Sequence, residues 1–171
     1  MKKTLLLLTL LIITPVLMAQ KTTPKDAWLE KWENSKSYLI ALAETMPEEH
    51  YNFKPTERQM SFKEQLIHIK GNMDWLSTTY FSEEEFKRTK ADIPATKLET
   101  INLLTASFDA ALEKIKKSPD ASLKDEVSFF AGDKTKLQIL NLLQDHVTHH
   151  RGQLIVYLNL NNVEPPRYVG W

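Results

Sequence analysis

Residues Asp145–Leu158 read DHVTHHRGQLIVYL and carry the strongest structural signal in the chain. Together with Leu143, the apolar residues of this stretch recur at three- and four-residue spacing, which is typical of the buried face of an α-helix. His146 and His150 are one turn apart, so they differ by only about 40° around the helix axis, at roughly 100° per residue. Both fall within the apolar arc, and we therefore expect them to point into the protein.

Three further amphipathic segments precede this helix, and each begins with a capping box. In such a box a Ser or Thr side chain accepts a hydrogen bond from the backbone three residues later, where an acidic side chain reaches back. We expect Asp133 to cap the fourth helix, which should end near Asn161, before the prolines that follow. The three boxes are Thr23-x-x-Asp26 with Pro24 after the cap, Ser61-x-x-Glu64 and Thr96-x-x-Glu99.

Polar connections separate the four helices. Glu48–Arg58 is rich in turn-forming residues, and Ser82–Pro94 is charged and crosses between two helices. Ser118–Lys134 is a second long connection, in which Val127–Phe130 has extended character. Four helices of about 20 residues, each with one apolar face, predict an all-α protein with the architecture of a four-helix bundle.

Composition excludes several classes of protein. The 171 residues include 22 Lys and Arg, 22 Asp and Glu, five His and no Cys. Without cysteine the chain has no disulfides, thiolate zinc fingers or cysteine nucleophile. Its four glycines are too scattered to form a phosphate-binding loop. The formal net charge of zero gives no support for nucleic-acid binding, which needs a basic surface, so we expect no nucleic-acid partner.

Residues 1–19 have the pattern of a secretory signal peptide. Lys2 and Lys3 form a positive end, Leu5–Met18 is mostly apolar, and Ala19 is a small residue at a plausible cleavage point. The apolar run is short for a spanning helix, which needs about 20 residues; an uncleaved membrane anchor is the alternative. We expect residues 20–171 to form one exported domain, periplasmic or extracellular, with no stable membrane span after cleavage.

The histidine pair on the fourth helix suggests a metal site. Two imidazoles one turn apart can bind one divalent ion, and a third ligand should then come from a facing helix. His68 on the second helix is the best candidate, although periodicity places it beside the apolar seam. His50 lies in a loop and His149 at the edge of the inward arc, so both are weaker candidates. The spacing alone leaves two alternatives, a metal site and hydrogen-bonded core histidines.

Two groups of motifs carry a family resemblance. Over about Asp26–Pro166, the sequence resembles the DinB/YfiT-like superfamily on the strength of these residues. The upstream group is Met46-Pro47-Glu48-Glu49, Phe53-Lys54-Pro55 and Ser61-Phe62-x-Glu64-Gln65-Leu66-x-His68; the C-terminal group is His146-x-x-His149-His150-Arg151-Gly152-Gln153-Leu154, Val156-Tyr157-Leu158 and Pro165-Pro166.

The resemblance implies a fold and a metal site. The implied fold is a bundle whose helices run up, down, down and up. The implied site holds a divalent ion, commonly nickel or zinc, on one histidine of the second helix and an H-x-x-x-H pair of the fourth. Matched by position, these ligands are His68, His146 and His150, and a water completes the site.

A three-histidine site with an open position favours either hydrolysis or thiol-type chemistry. We therefore expect a metal-dependent hydrolase or thiol-type transferase that acts on a small molecule. The alternative is a non-catalytic metal-binding or stress-related binding protein. Asp74 and Asp145 are available carboxylates, but the sequence assigns no general base, so the catalytic residues stay unknown beyond the water. Bundle relatives suggest a homodimer.

Some positions depart from the family pattern or have structural roles. Asn159 stands where the family usually has arginine after Tyr-Leu, and export argues against a small cytoplasmic thiol as cofactor. We expect Arg151 to pair with a neighbouring helix or the C-terminal segment, and Gly152 to allow a close helix approach.

Overall fold

The computed structural model describes residues 22–88 and 93–171, so the signal peptide predicted for residues 1–19 lies outside them. The described chain is predominantly helical, which confirms the all-α prediction. The connections contain two short 3-10 helices, Glu48–His50 and Asp120–Lys124. They also contain a small antiparallel hairpin formed by β1 (Glu126–Val127) and β2 (Lys134–Thr135). The four long helices are α1 (Pro24–Thr45), α2 (Phe62–Phe81), α3 (Lys97–Lys117) and α4 (Lys136–Leu160).

Each long helix begins at a capping box. The three boxes predicted for α1, α2 and α3 are present, with both reciprocal hydrogen bonds formed. The prediction that Asp133 caps α4 is wrong, because Thr135 is the cap and Gln138 completes its box. The reason lies in the hairpin: Thr135 pairs with Glu126 in an extended conformation, so the helix cannot begin before it.

Helices α2 and α3 run parallel. Lys114, near the end of α3, donates to the Thr78 hydroxyl of α2 at 2.8 Å. Ser107, two turns earlier in α3, bonds Asp74, one turn earlier in α2. Contacts that advance in the same direction along both helices require a long connection between them, and residues 82–96 supply it.

The other helix pairs fix the remaining directions. Gln65, near the start of α2, donates at 2.9 Å to Gln153, late in α4, so these two helices are antiparallel. Lys97, at the start of α3, donates at 2.8 Å to the carbonyl oxygen of Met46, which follows α1. Lys25, at the start of α1, donates at 2.6 Å to the carbonyl of Ser118, which follows α3. The helices therefore run up, down, down and up, as the resemblance implied.

An apolar core fills the space between the helices. Trp28 and Trp32 of α1 stack with ring centroids 4.7 Å apart, and Trp32 lies 4.8 Å from Phe108 of α3. Both indole N–H groups donate to backbone carbonyls, of Leu140 and Phe108 respectively, so this aromatic cluster buries no unpaired indole nitrogen. Across residues 22–88 and 93–171, no helix combines the length and apolar character needed to cross a membrane.

Candidate metal centre

Three histidines meet where α2 faces α4. His68 comes from α2, and His146 and His150 come from successive turns of α4. One ring nitrogen of each lies within 4.8 Å of the others. The ring centroids are 4.5–4.9 Å apart. The structure thus brings together the three residues that the sequence identified as candidate ligands, and this group could hold a metal ion.

The spacing of the nitrogens fits a shared ion. Nε2 of His146 lies 3.1 Å from Nε2 of His68. Two nitrogens bound to one zinc at 2.0–2.1 Å with a tetrahedral angle lie about 3.3 Å apart. Without a cation, two lone pairs at this distance repel each other unless one nitrogen carries a proton for the other. Three imidazole nitrogens are a donor set that suits zinc and nickel.

Burial keeps these imidazoles neutral. Desolvation, followed by the neighbouring histidines, lowers the pKa of His146 from 6.5 to about 3 and that of His150 to about 4. Desolvation, and then His149, also lowers the pKa of His68. At neutral pH the rings therefore offer lone pairs rather than positive charges, which is the state a metal ion requires of its ligands.

Gln65 sets the tautomer of His150. The amide oxygen Oε1 of Gln65 lies in hydrogen-bond contact with Nδ1 of His150. Because an amide oxygen can only accept, Nδ1 must carry the proton, and the lone pair is left on Nε2. Hydrogen bonds of this kind orient metal-binding histidines and are part of the site in functional terms.

A chain of hydrogen bonds in turn orients Gln65. Its amide nitrogen donates to Oε1 of Gln153 at 2.9 Å and to the hydroxyl of Tyr157 at 3.3 Å. The Tyr157 hydroxyl donates onward to the carbonyl of Met60 at 2.8 Å. Gln153 donates to Nε2 of His149 at 2.9 Å. His149 therefore belongs to the network around the cluster rather than to the cluster itself.

The sequence did not assign this role to Gln65. The signal was a polar residue in the buried stripe of α2, three positions before His68, where Gln65 is only 2% exposed. A buried amide needs hydrogen-bond partners, but the sequence cannot name partners that are more than 80 residues away. The opposite case is His146, whose buried Nδ1 has no partner among the residues that the structure describes.

A cavity of about 730 Å³ lies beside His68. One side is the face of α2 that carries Ile67, His68 and Trp75. The other side includes Phe86 and Ile93 of the connection that follows α2. Its lining is largely apolar, with a few polar side chains. His68 is thus accessible from a space of the size that small-molecule sites usually have, about 300–1,000 Å³.

The structure places the other candidates away from the ligand set. His50 lies in a 3-10 helix and is not among the three clustered rings. Asp74 bonds Lys70 at 2.6 Å and also Ser107 of α3, and Asp145 is exposed on α4. Neither carboxylate joins the group of side chains that could hold a metal ion.

The structure agrees with the role predicted for Arg151 but not with the role predicted for Gly152. Arg151 is buried, and its guanidinium lies 5.0 Å from the ring centroid of Tyr38, so it pairs with α1 as expected. Burial lowers the pKa of Arg151. The prediction that Gly152 allows a close helix approach is wrong, because a Cβ placed there meets nothing within 4 Å.

Comparison with known proteins places the chain among relatives of the same fold. The uncharacterized protein YjoA of Bacillus subtilis (strain 168) is 29% identical over 136 residues, which cover 74% of this chain and 84% of YjoA. The crystal structure of a DinB-like protein, YjoA, from Bacillus subtilis matches with a TM-score of 0.69 and 23% identity, over 83% of this chain and 96% of that one.

A second solved structure shows the same fold. A DinB-like protein from Bacillus cereus ATCC 10987 matches with a TM-score of 0.72 and 17% identity, over 83% of this chain and 95% of that one. The model of the DinB family matches residues 18–169, which is most of the sequence. The chain therefore belongs to the DinB family.

Proposed function

We propose that the protein binds one divalent ion, nickel or zinc, through His68, His146 and His150 and acts as a metal-dependent enzyme on a small molecule. The observation that carries this proposal is the convergence of one nitrogen from each ring within 4.8 Å. The reaction class is hydrolysis or a thiol-type transfer. When bound, a divalent ion with an open position activates water near neutral pH, polarises a substrate oxygen or binds a thiolate.

The residues of the chain prepare the site for this role. The backbones of α2 and α4 hold the ligands at a fixed distance, so little ordering is needed on binding. Gln65 holds the Nδ1 proton of His150 and directs the opposite nitrogen to the centre. The adjoining cavity gives a small molecule access to His68 from the side of α2.

The alternative is a metal-binding protein without catalysis, and one observation favours it. The carboxylate in the cavity wall belongs to Glu64, which already accepts from the backbone of Ser61 at 2.6 Å and pairs with Lys54 at 3.0 Å. These contacts lower the pKa of Glu64. A carboxylate so engaged is a poor base, so hydrolysis would need a proton acceptor from the substrate or the solvent.

Two further proposals concern the setting of the protein. The charged and apolar pattern of residues 1–19 supports export to the periplasm or the outside of the cell. The proposed partner is a small molecule rather than a nucleic acid, in line with the formal net charge of zero.

Metal content tests the proposal directly. The protein is purified without a histidine tag and without chelator, and bound metals are measured by mass spectrometry. We expect close to one nickel or zinc per chain, and almost none in a His146→Ala/His150→Ala variant. His50→Ala is the matched control and should retain the metal. A wild-type protein that holds no metal and takes up none on titration would refute the proposal.

Turnover separates the enzyme from its alternative. The metal-loaded protein is assayed on ester, amide, phosphate and thiol-conjugation substrates. An activity that the double variant loses while it remains folded by circular dichroism supports the enzyme. A protein that holds its metal and turns over none of these classes supports the non-catalytic alternative.

A further inference from the structure

We propose that the cavity beside His68 binds a small organic anion with an apolar body and that this class of molecule is the substrate. The inference rests on the proposed function for the reaction, but the binding site stands on its own contacts. The three histidines alone do not determine which molecule reaches them, whereas the residues that line the cavity do.

The shape of the cavity sets the size of the occupant. Its volume of about 730 Å³ is within the range of small-molecule sites and exceeds what a few waters need. His68 forms part of the wall, so a molecule in the cavity lies next to a candidate metal ligand. The cavity is therefore continuous with the chemistry proposed above.

The apolar lining determines the body of the occupant. Ile67, Trp75, Phe86 and Ile93 line the cavity from both of its sides. Ile93 is 58% exposed, although it is a large apolar residue. An apolar group that covers such side chains gains about 25 cal/mol for each Å² removed from water. An aromatic or branched aliphatic body satisfies this requirement better than a sugar or a nucleotide would.

The loop between β1 and β2 contacts Trp75. Phe129 and Phe130, in this loop, stack on the indole with centroids 6.0 Å and 6.3 Å away. Phe130 is 82% exposed, so burial in the core does not explain its position. Its stacking contact is with Trp75, an aromatic side chain of the cavity wall, and contacts that order such a wall before binding lower the entropy lost when a ligand binds.

The charges of the lining determine the polar end of the occupant. Glu64 is compensated by Lys54 at 3.0 Å, so its carboxylate adds little net negative charge. Arg88 lines the same cavity from the connection after α2. A guanidinium binds carboxylates and phosphates with paired hydrogen bonds. The apolar walls and this cation together favour an anion such as an aryl or branched aliphatic carboxylate.

Phenylbutyrate and phenylbutyramide form a matched pair of probes, because they differ in charge and little in shape. Their Kd values for the metal-loaded protein are measured by isothermal titration calorimetry. We expect phenylbutyrate to bind at least tenfold more tightly than the amide. Arg88→Gln, on a connection outside the core, should remove most of this preference. Equal affinity for both probes, or binding of neither, would overturn the proposal.

A pair of glycine substitutions tests the location. Gly71 lines the cavity, and a Cβ at that position meets nothing within 4 Å, so Gly71→Leu can fold and fill part of the space. Gly152→Leu is the matched control, since Gly152 is also helical and also free of close neighbours. We expect Gly71→Leu to weaken phenylbutyrate binding at least tenfold and Gly152→Leu to leave it unchanged. If both variants bind like the wild type, the ligand lies elsewhere and the proposal fails.

The His146→Ala/His150→Ala variant separates this inference from the proposed function. It leaves the cavity-lining residues in place, so the preference for the carboxylate probe should persist there without metal. A wild-type protein that binds no metal but keeps this preference refutes the metal function and supports the anion site. A protein that holds its metal but shows no preference supports the metal function and refutes the anion site.

Discussion

The α1–α3 interface and the α2–α4 interface bury side chains of different kinds. At the first, Trp32 is 1% exposed and packs against the rings of Trp28 and Phe108, and its N–H donates to a backbone carbonyl. At the second, Gln65 is 2% exposed and bonds His150, beside two more imidazoles with little charge of their own at neutral pH. Apolar burial at the first interface stabilises the fold, whereas the second interface buries polar groups that water would solvate better, which lowers stability.

The difference shows where stability and function lie in the same bundle. The apolar packing between α1 and α3 is complete without any bound ion or ligand. A cluster of neutral imidazoles with an unpartnered Nδ1 in the described part of the chain gains stability only when a cation binds. Buried polar groups that lack partners are expected at functional sites, so the α2–α4 interface is where function is expected.

The largest effect is expected on the aromatic side. Trp32→Ala should lower the free energy of unfolding by about 3–5 kcal/mol, because a fully buried aromatic ring leaves a cavity. Urea denaturation of the metal-free protein measures this loss. Trp171→Ala, at a residue that is 68% exposed, is the control and should change stability by less than about 1 kcal/mol. Equal losses in both variants would mean that the Trp28–Trp32–Phe108 cluster is not a main source of stability.

The histidine side should give stability a dependence on pH. The folded-state pKa values of about 3 for His146 and about 4 for His150 lie below the ordinary value of 6.5. The unfolded chain therefore binds more protons in this window, and stability present above pH 6.5 is lost as the pH falls. Two fully buried groups with these shifts would lose about 4 kcal/mol between pH 7 and pH 5. Because solvent partly screens these half-buried rings, we expect a loss on the order of 2 kcal/mol for the metal-free protein.

Urea denaturation at each pH, in the presence of chelator, measures this loss. The His146→Ala/His150→Ala variant is the control and should lose much less over the same range. The carboxylates with lowered pKa values, such as Glu64 and Glu99, titrate below this window, so they do not mimic the effect. Parallel curves for the two proteins would contradict the proposed burial of neutral imidazoles.

A smaller effect should follow from the hydrogen bond to His150. Gln65→Met keeps the volume but removes the acceptor, so it should weaken zinc or nickel binding about 10–100-fold. Gln65→Glu keeps an acceptor oxygen and should bind the metal more tightly than Gln65→Met. Competition with a chromogenic chelator measures both affinities.

Gln144→Met is the control for this prediction. Gln144 also lies on α4, but it donates to Ser35 of α1 at 2.8 Å and faces away from α2. Its replacement should leave the metal affinity within about threefold of the wild type. If Gln65→Met and Gln144→Met bind metal equally well, Gln65 does not position His150.

Periodicity and capping boxes predicted the helices because both signals are local. The fourth cap was missed because the hairpin, in which Thr135 pairs with Glu126, decides between Thr135 and Asp133. The sequence gives only a weak signal for that hairpin. The ligand set was predictable in part: the i, i+4 spacing identified His146 and His150, but His68 lay beside its apolar seam. Contacts between distant residues, such as Gln65 with His150, depend on how two helices are rotated relative to each other about their axes. A single sequence does not determine that rotation.

The smallest effect is expected at Gly152, where the sequence predicted a close helix approach that the structure does not show. Gly152→Ala should stabilise the protein by about 0.5–1 kcal/mol, because alanine loses less backbone entropy in a helix and its Cβ meets nothing within 4 Å. Thermal and urea denaturation measure the gain, and metal affinity should stay unchanged. A destabilising Gly152→Ala would show that something packs on this exposed face of α4 in solution. A second copy of the chain would then be the first partner to test.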